Sequence, residues 1–286
     1  MHIEEIIRKA LEEDLGSGDH TSLSTIPRQA TGKSKLLIKE NGILAGVSIA
    51  KEVYFQLDPS LSFETVINDG TPVKPGDIAF YISGSSRSIL SGERLALNFM
   101  QRMSGIATAT AQMVRLTEGT GVKILDTRKT TPLLRELEKT AVRLGGGENH
   151  RMGLYDMIMI KDNHVDFAGG IRQAIEAVNS YVGRMRPEEL KIKNEKLKIE
   201  IEVRDFRELE EVLSVGKVDR IMLDNFSVPD LANAVKIING RFETEASGGI
   251  NSNNIREYAE TGVDYISVGA LTHHIKSLDM SLKAVL

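Results

Sequence analysis

Polar side chains that could bind anions, metal ions or protons follow a series of apolar runs in the second half of the chain. In chain order, these polar groups are DTRK (126–129), KDNH (161–164), Glu200 with Glu202, DN (224–225), EASGG (245–249) and GALTH (269–273). Basic side chains bind anions, and carboxylates bind metal ions or stabilise developing positive charge. The pattern therefore predicts a site in which an anionic ligand lies beside a set of carboxylates.

The apolar runs indicate strands that alternate with helices. Landmarks at the strand ends, Glu202, Asp224, Ser247 and Gly269, follow one another at intervals of 22, 23 and 22 residues. A strand, a helix and two loops fit in that length, and such alternation indicates a parallel sheet. We predict an α/β fold with a (β/α) barrel, and an open doubly wound sheet is the alternative. In a barrel, the carboxyl ends of the strands build one active site.

The charges at the strand ends narrow the class of ligand. Five basic residues are predicted to lie there: Arg128, Lys129, His150, Arg151 and Lys161. Clustered cations repel one another unless an anion lies among them. The backbones of Gly145–Gly147 and Ser247–Gly249 are predicted to approach such an anion closely. We expect a phosphorylated sugar and a second anionic group, with carboxylates available for Mg²⁺.

Each of these groups also has a purely structural interpretation. Asp224 could be a helix N-cap, and each glycine cluster could be an ordinary turn or C-cap. Glu200 and Glu202 share one face of their strand, and that face could be exposed on an edge strand. A parallel barrel strand has no such face, because helices cover its outside. His273 and His274 could be ordinary surface residues.

Composition excludes several functional classes. The chain has 286 residues, of which 41% are hydrophobic, which is enough for a sizeable core. A formal net charge of −4 gives no general attraction to nucleic acid or anionic membranes. The absence of cysteine excludes disulfides and thiolate chemistry. No apolar run is long enough for a membrane span, and the first residues do not resemble a signal peptide, so we expect a cytoplasmic location.

The first hundred residues follow a different pattern. Residues 3–16 predict an amphipathic helix, and short strands and turns follow up to residue 90. A long helical pattern then begins at GERLALN and leads toward the strand–helix repeat. The charged insertion over residues 186–198 is predicted to be a solvated excursion. The final segment, residues 274–286, is predicted to be a helix that packs on the first domain.

The whole chain resembles the quinolinate phosphoribosyltransferases, the carboxylating nicotinate-nucleotide pyrophosphorylases of NAD synthesis. The matching stretches are EEDLGSGDHTS, GERLALNFMQRMSGIATAT, DTRKTTPLLRELEKTAVRLGGGENHRMGLYDMIMIKDNH, IEIEV, IMLDN, EASGGI and ISVGALTH. The resemblance implies an N-terminal α/β sandwich-like domain over residues 1–107, joined by the C-terminal helix, and an open seven-stranded (β/α) barrel over residues 108–273. It also implies a homodimer with shared active sites, which could associate further into a hexamer.

The same resemblance implies roles for individual residues. Arg94, Arg128, His150, Arg151 and Lys161 surround the two carboxylates of quinolinate, and Arg94 comes from the partner subunit. Lys129, Lys161, Glu202, Asp224, Ser247, Gly248, Gly249, Gly269 and Ala270 bind phosphoribosyl pyrophosphate. Glu202 and Asp224 face the ribose and Mg²⁺, directly or through substrate and water, and together with Lys161 they are the implied catalytic residues. His164 and His273 are implied to be supporting or rim residues without a chemical step.

The implied reaction is phosphoribosyl transfer to quinolinate with decarboxylation, which gives nicotinate mononucleotide, pyrophosphate and CO₂. One alternative is a lyase or aldolase in which Lys161 forms a Schiff base, although the surrounding groups suit anions better. A second is a related phosphoribosyltransferase that acts on another base, although the Arg, His and Arg set favours a dicarboxylate. A third is a sugar-phosphate-binding protein without activity, although no damaged rim residue is visible.

Overall fold

Two units make up the chain, and each is built from separated stretches of sequence. The computed structural model describes residues 3–185, 191–192 and 195–285, with no side-chain description for 191, 192, 195 and 196. The first unit comprises Met1–Ala111, Lys129–Gly147 and Leu271–Leu286, and the second comprises Gln112–Arg128 and Glu148–Ala270. The prediction instead divided the chain after residue 107, and it placed residues 129–147 with the barrel.

The first unit holds a four-stranded antiparallel sheet with helices. Its elements are α1 (Ile3–Leu15), α2 (His20–Thr25), β1 (Thr31–Ile38), β2 (Gly42–Ile43), α3 (Val47–Leu57), β3 (Ser62–Thr65), β4 (Pro72–Val73), β5 (Ile78–Ser85), α4 (Ser86–Leu116, which extends into the second unit), α5 (Arg135–Leu144), α11 (Ala270–His273) and β14 (Met280–Ala284). The order in the sheet is β14-β1-β5-β3. Helix α1 buries Ile6, Ile7 and Leu11, as its apolar spacing predicts.

The C-terminal segment is a strand, so the prediction of a helix over residues 274–286 was wrong. Strand β14 pairs antiparallel with β1, and Leu282 lies opposite Leu36. Met280 and Leu282 are buried, whereas Lys283 is exposed. Leu278 and Leu282 also match a helical spacing, but the free edge of β1 supplies backbone hydrogen-bond partners that a helix on the surface would not use. Tertiary pairing therefore overrides the local pattern.

The second unit is built on a parallel sheet with connecting helices. Its elements are β6 (Lys123–Leu125), β7 (Ile158–Ile160), α6 (Asp162–Ala168), α7 (Ile171–Val182), β8 (Lys191–Ile192), β9 (Glu195–Lys196), β10 (Ile199–Val203), α8 (Phe206–Val215), β11 (Arg220–Asp224), α9 (Val228–Ile238), β12 (Glu243–Ser247), α10 (Ile255–Ala259) and β13 (Tyr265–Ser267). The order in the sheet is β6-β13-β12-β11-β10-β7. The predicted α/β class with a parallel sheet is confirmed.

The described residues give this sheet six strands, whereas seven were predicted. An isolated parallel bridge between Leu125 and Glu148 lies beside β6, where a further strand would add. Of the charged insertion, residues 186–190, 193 and 194 lie outside the described residues, and β8 and β9 pair with each other. Among the described helices, none is long and apolar enough to cross a membrane.

Strand β10 shows why acidic residues in this sheet must point inward. All five residues of Ile199–Val203 are buried, including Glu200 and Glu202. The strand is flanked by β11 on one side and β7 on the other. Because neither the strand edge nor either face is open to solvent, both carboxylates lie in the interior of the unit. The interpretation of Glu200 and Glu202 as solvent-facing edge residues is therefore excluded.

Candidate active site

The carboxyl ends of the parallel strands bring most of the predicted site residues to one edge of the sheet. Listed across the sheet from β6 to β7, the strand-end residues are Arg128, Gly269 with Ala270, Ser247 to Gly249, Asp224, Glu202 and Lys161. Asp224 pairs in register with Ser247, and Glu202 pairs with Met222 one step below. The second unit therefore presents cations at both sides of its sheet edge and carboxylates between them.

Lys161 and Glu202 form a direct ion pair at this edge. Lys161 Nζ lies 2.6 Å from Glu202 Oε2, and their side chains are 45% and 8% exposed. The backbone N–H of Lys161 donates to His164 Nδ1 at 2.9 Å, which caps the first turn of α6. His164 thus orients the residue that carries the amine.

Asp224 is not the cap of the helix that follows it. Helix α9 is capped by Ser227, whose side chain accepts from the backbone N–H of Asp230. Asp224 remains half-buried at the end of β11, and its Oδ2 accepts from the side chain of Asn225 at 2.6 Å. A carboxylate that does not cap its helix can bind a ligand at the sheet edge.

The loop Ser247–Gly249 needs its glycines. Gly248 has φ +94°, and a Cβ there would lie 2.2 Å from Asn225 Oδ1. Gly249 has φ +64°, and a Cβ there would meet no atom within 4 Å. Gly248 is therefore fixed by packing, whereas Gly249 presents bare backbone to open space. Helix α10 begins only at Ile255, so its N-terminus does not lie directly behind this loop.

Arg128 and Arg151 face each other closely enough to interact electrostatically. Burial and the charge of Arg128 lower the pKa of Arg151 below its ordinary value. The Arg151 guanidinium also donates to the backbone carbonyl of Met157 at 3.2 Å. Two arginines at one rim fit a ligand with two negative charges.

His150, the residue before Arg151, has its ring in the interior of the sheet. His150 Nε2 lies 3.0 Å from Glu200 Oε2 and 3.4 Å from Glu245 Oε2. The guanidinium of Arg220 donates to Glu245 at 2.9 Å and to Glu243 at 3.1 Å. We call His150, Glu200, Arg220 and Glu245 the buried charge cluster. All four residues are buried, and both glutamates are fully so.

Burial and neighbouring opposite charges shift the pKa values of these groups in opposite directions. Burial alone would lower the pKa of His150, but the two carboxylates outweigh it and raise this pKa to about 9. Burial and the charge of Glu245 raise the pKa of Glu200, whereas His150 and Arg220 lower the pKa of Glu245 despite its burial. Glu245 therefore keeps its charge more readily, because Arg220 contacts it directly.

One hydrogen bond competes with a protonated His150. The backbone N–H of Arg151 donates to His150 Nδ1 at 2.7 Å, which requires that nitrogen to be unprotonated. The raised pKa of His150 instead implies that both ring nitrogens carry a proton at neutral pH. Two buried carboxylates within 3.4 Å stabilise a cation more strongly than one neutral amide stabilises the free base. We therefore assign the imidazolium to His150 at neutral pH, with the Arg151 amide bond weakened.

The buried charge cluster has the spacing of a metal site but already contains a cation. Ligand atoms of His150, Glu200 and Glu245 all lie within 4.8 Å of one another. Arg220 supplies a fixed positive charge against Glu245, which leaves one fewer carboxylate charge for a metal ion. Glu202 and Asp224 instead offer carboxylate oxygens, the ligands that Mg²⁺ prefers, near the carboxyl ends of adjacent strands.

The first unit holds the predicted residues Lys129, His273 and Arg94. The backbone carbonyl of Lys129 accepts from the hydroxyl of Thr272 at 2.8 Å. Arg102 donates to Glu138 at 2.8 Å and to the carbonyl of Thr272 at 3.1 Å. Burial and the positive charges of His274 and Lys129 lower the pKa of His273. The backbone that carries Lys129 is thus held by buried polar contacts.

Arg94 and Gly145–Gly147 have different local settings in this unit. Arg94 is exposed on α4, as a residue that reaches another subunit would have to be. Gly145 ends α5, and a Cβ there would lie 2.3 Å from the carbonyl of Ala107. Helix capping and close packing explain this glycine without a ligand. The approach of the Gly145–Gly147 backbone to an anion stays a prediction, and Gly146, which has φ +88° and is exposed, is the member of this loop that could make it.

Two residues that support the site, Arg220 and Glu138, were not identified from the sequence. Arg220 contacts Glu245, which in turn contacts His150, and Glu138 accepts from the backbone N–H of Thr131 beside Lys129. The available signal was charge inside strands that should be fully apolar, as in DRIMLD and FETEAS. A charged residue within a buried parallel strand indicates a partner inside the sheet.

Comparison with known sequences extends over almost the whole chain. The profile of the quinolinate phosphoribosyl transferase N-terminal domain matches residues 19–104, and the C-terminal domain profile matches residues 106–283. A Nicotiana tabacum protein named quinolinate phosphoribosyltransferase [decarboxylating] 2b, mitochondrial, is 44% identical over 98% of this chain and 82% of its own length. An Arabidopsis thaliana nicotinate-nucleotide pyrophosphorylase [carboxylating], chloroplastic, is 46% identical over 97% and 81%.

Solved structures give the same relationship. The nicotinate-nucleotide pyrophosphorylase from Francisella tularensis is 39% identical and superimposes with a TM-score of 0.90. The superposition covers 99% of this chain and 96% of that one. Sequence and fold thus agree along the full length of both proteins.

Proposed function

Because the chain belongs to the quinolinate phosphoribosyltransferase family, we propose that it transfers the phosphoribosyl group of phosphoribosyl pyrophosphate to quinolinate. The reaction releases pyrophosphate and CO₂ and yields nicotinate mononucleotide for NAD synthesis. One observation carries the assignment to this site. The sheet edge places Lys161 against Glu202 at 2.6 Å, with Asp224 on the neighbouring strand and a bare glycine backbone next to it.

The carboxylates between the two cationic sides suit the sugar of the substrate. Breaking the bond between ribose C1 and pyrophosphate leaves positive charge on the sugar and negative charge on the leaving group. Glu202 and Asp224 stabilise the cationic sugar by charge and by accepting hydrogen bonds from its hydroxyls. Lys161 neutralises negative charge on the phosphate groups once substrate separates it from Glu202.

Mg²⁺ fits the donor set at this edge. Glu202 and Asp224 offer oxygen ligands, and both lie at the ends of adjacent strands. When bound, Mg²⁺ supplies positive charge against the pyrophosphate leaving group. Lys129, with the backbone of Ser247–Gly249 and of Gly269 and Ala270, completes the proposed phosphate contacts.

The dicarboxylate is the second substrate in this proposal. Arg128 and Arg151 bind its carboxylates bidentately and hold the ring so that its nitrogen faces ribose C1. Lys161 and Arg94 of the partner subunit complete the contacts. His150, whose ring is buried against Glu200 and Glu245, contributes from beneath Arg151. The electron pair of the ring nitrogen forms the bond to C1. The ring then carries positive charge, which stabilises the carbanion left at C2 when CO₂ departs, and a proton adds at C2.

A product assay tests this function directly. The purified protein is incubated with phosphoribosyl pyrophosphate, Mg²⁺ and either quinolinate or nicotinate, and nicotinate mononucleotide is followed by absorbance and mass. Product from quinolinate but not from nicotinate is expected. Lack of product from both, with a folded protein, would overturn the substrate assignment and favour a phosphoribosyltransferase for another base. Borohydride trapping of Lys161 with a carbonyl substrate would instead favour a Schiff-base enzyme.

A homodimer with shared active sites is part of the same proposal. The second unit exposes Leu154, Tyr155 and Phe167, whose residues are 72%, 71% and 91% exposed. Apolar side chains grouped near each other in sequence and left in solvent suit an interface. Arg94→Ala and Lys161→Ala proteins are mixed and allowed to exchange subunits. Recovery of partial activity is expected, and no recovery despite exchange would contradict shared sites.

The finer fold and the location also belong to this proposal. The bridge at Glu148 supports a seventh strand position beside β6, which would make the sheet the open seven-stranded barrel predicted from the sequence. A cytoplasmic location and a hexamer stay predictions from sequence and resemblance.

A further inference from the structure

We propose that Glu200 and Glu245, which lie below the site, are positioning residues for the dicarboxylate clamp. They hold the His150 ring and thereby fix the segment that presents Arg151 at the rim. The inference rests on the proposed function, because it concerns the binding of the dicarboxylate. It assigns the two glutamates a role through His150 and no contact with substrate.

The segment Asn149–Arg151 has no helix or strand of its own to hold it. Side chains hold it instead. The backbone N–H of His150 donates to Asp126 Oδ1 at 2.9 Å, and the side chain of Asn149 donates to Asp126 Oδ2 at 2.5 Å. Asp126 follows β6 and is fully buried. The start of the segment is therefore tied to the end of β6.

The His150 ring ties the same segment to two further strands. Glu200 lies on β10 and Glu245 on β12, on either side of β11. Both carboxylates approach the same ring nitrogen, at 3.0 Å and 3.4 Å. The ring cannot turn or shift toward the rim without lengthening both contacts. Because Arg151 is bonded to His150, its backbone is restrained as well.

Stability alone does not account for this arrangement. Burying two carboxylates costs more than burying apolar side chains of the same size, and well-packed hydrophobic residues often replace such clusters without loss. The ion-pair partner of the fully buried Glu200 is His150, whose Nε2 lies 3.0 Å from Glu200 Oε2. A buried charge that is kept although apolar packing could replace it suggests a role other than stability. Here the group that Glu200 contacts is next to the proposed clamp.

The other groups around the ring fit the same role. Arg220 contacts the same oxygen of Glu245, Oε2, that approaches His150, and the 2.9 Å contact fixes that carboxylate. Ser267 of β13 adds a hydrogen bond to Glu245. The buried charge cluster is thus a rigid support for the His150 ring. The backbone of His150 continues directly into Arg151 of the binding segment. A shift of the His150 ring by a fraction of an ångström would misplace the Arg151 guanidinium relative to a planar dianion.

Glutamine substitutions separate this role from a general effect on folding. Glu200→Gln and Glu245→Gln keep side-chain size and remove one charge each. Glu243→Gln is the matched control, since Glu243 lies on the same strand as Glu245 and contacts Arg220 but not His150. For each protein, KM is measured for quinolinate and for phosphoribosyl pyrophosphate, with thermal unfolding alongside.

In both cluster variants, KM for quinolinate is expected to rise about tenfold or more. KM for phosphoribosyl pyrophosphate is expected to stay within about threefold, and Glu243→Gln to change neither KM by more than that. A rise of both KM values together, or an unchanged KM for quinolinate, would overturn the proposal. If Glu245→Gln does not fold because Arg220 loses its partner, Glu200→Gln decides. Failure of both variants to fold would assign the pair a structural role and also overturn it.

The wild-type protein in the same assay distinguishes failure of the proposed function from failure of the positioning role. If wild-type protein forms no product from quinolinate, the proposed function itself fails. If wild-type protein is active and the cluster variants match it, only the positioning role fails.

Discussion

Two groups of charges lie on the same parallel sheet and differ in depth. At the rim, Lys161 and Glu202 form an ion pair whose side chains are 45% and 8% exposed. One step further into the sheet, His150, Glu200, Arg220 and Glu245 have side chains that are 4%, 0%, 8% and 0% exposed. The rim lysine can exchange its partner for substrate phosphate at little cost. The buried charges cannot exchange partners, so they hold geometry instead.

The largest expected effect is on stability, at the buried level. Arg220→Met removes the cation that contacts Glu245 and Glu243. Because Glu245 then has only His150, which it shares with Glu200, one buried carboxylate charge loses its partner. The free energy of unfolding, measured by urea denaturation, should therefore fall by about 3–5 kcal/mol. The matched control is Lys198→Met, which removes the half-exposed partner of Glu243 and should cost less than about 1 kcal/mol. Equal effects of both substitutions would show that buried and half-exposed cations contribute alike to the stability of this protein.

The next effect is on catalysis, at the rim. Glu202→Gln should lower kcat by about 10²–10³-fold, because it removes charge facing the cationic sugar. The free energy of unfolding should change by less than about 1 kcal/mol, because the partner Lys161 is half-exposed. Steady-state kinetics and urea denaturation on one preparation measure both. Wild-type turnover in Glu202→Gln would remove Glu202 from the mechanism.

The pH dependence of stability tests the buried cluster without changing its packing. The pKa of His150 is raised to about 9 from 6.5. A group whose folded pKa lies above its unfolded pKa contributes fully below pH 6.5, and that contribution is lost as the pH rises through about 9. Wild-type protein should therefore lose up to about 3 kcal/mol of unfolding free energy over this range.

The variant His150→Gln should lack this loss, and urea denaturation at several pH values compares the two proteins. Nitrogen chemical shifts of the His150 ring give an independent measurement. Both nitrogens should be protonated at pH 7. An unprotonated Nδ1 would show that the Arg151 amide, which lies 2.7 Å from it, controls the ring instead.

The smallest expected effect comes from a substitution that keeps the positive charge and changes only the shape of the charged group. Arg128→Lys replaces a planar fork by a single ammonium group, so bidentate binding of a carboxylate is lost. KM for quinolinate should rise about tenfold or more, and unfolding should be nearly unchanged. Near-wild-type kinetics would show that Arg128 does not form part of the clamp. Arg143→Lys, on α5 and exposed, serves as the control.

Residues that lie at the ends of strands could be predicted from the order of strands and helices along the chain. Residues whose role depends on how deeply they are buried in the sheet could not. The strand–helix repeat and the polar strand ends place Lys161, Glu202, Asp224 and Ser247 at one edge of the sheet, as observed. The family prediction is confirmed by the matching profiles. Residues 274–286 were misread because Leu278 and Leu282 suit a helix as well as a strand, and only the free edge of β1 decides between them.

The sequence by itself determined the parallel sheet, the family and the edge at which the polar groups meet, because periodicity and strand order are local properties of the chain. Only the tertiary structure decided that Glu200 meets His150 inside the sheet while Glu202 meets Lys161 at its edge. The two carboxylates share a face of one strand, but their partners come from other segments, and register sets which residues of the neighbouring strand lie beside them: Glu200 pairs with Arg220 and Glu202 with Met222. Register is set by neighbouring strands, which a single segment of sequence does not specify.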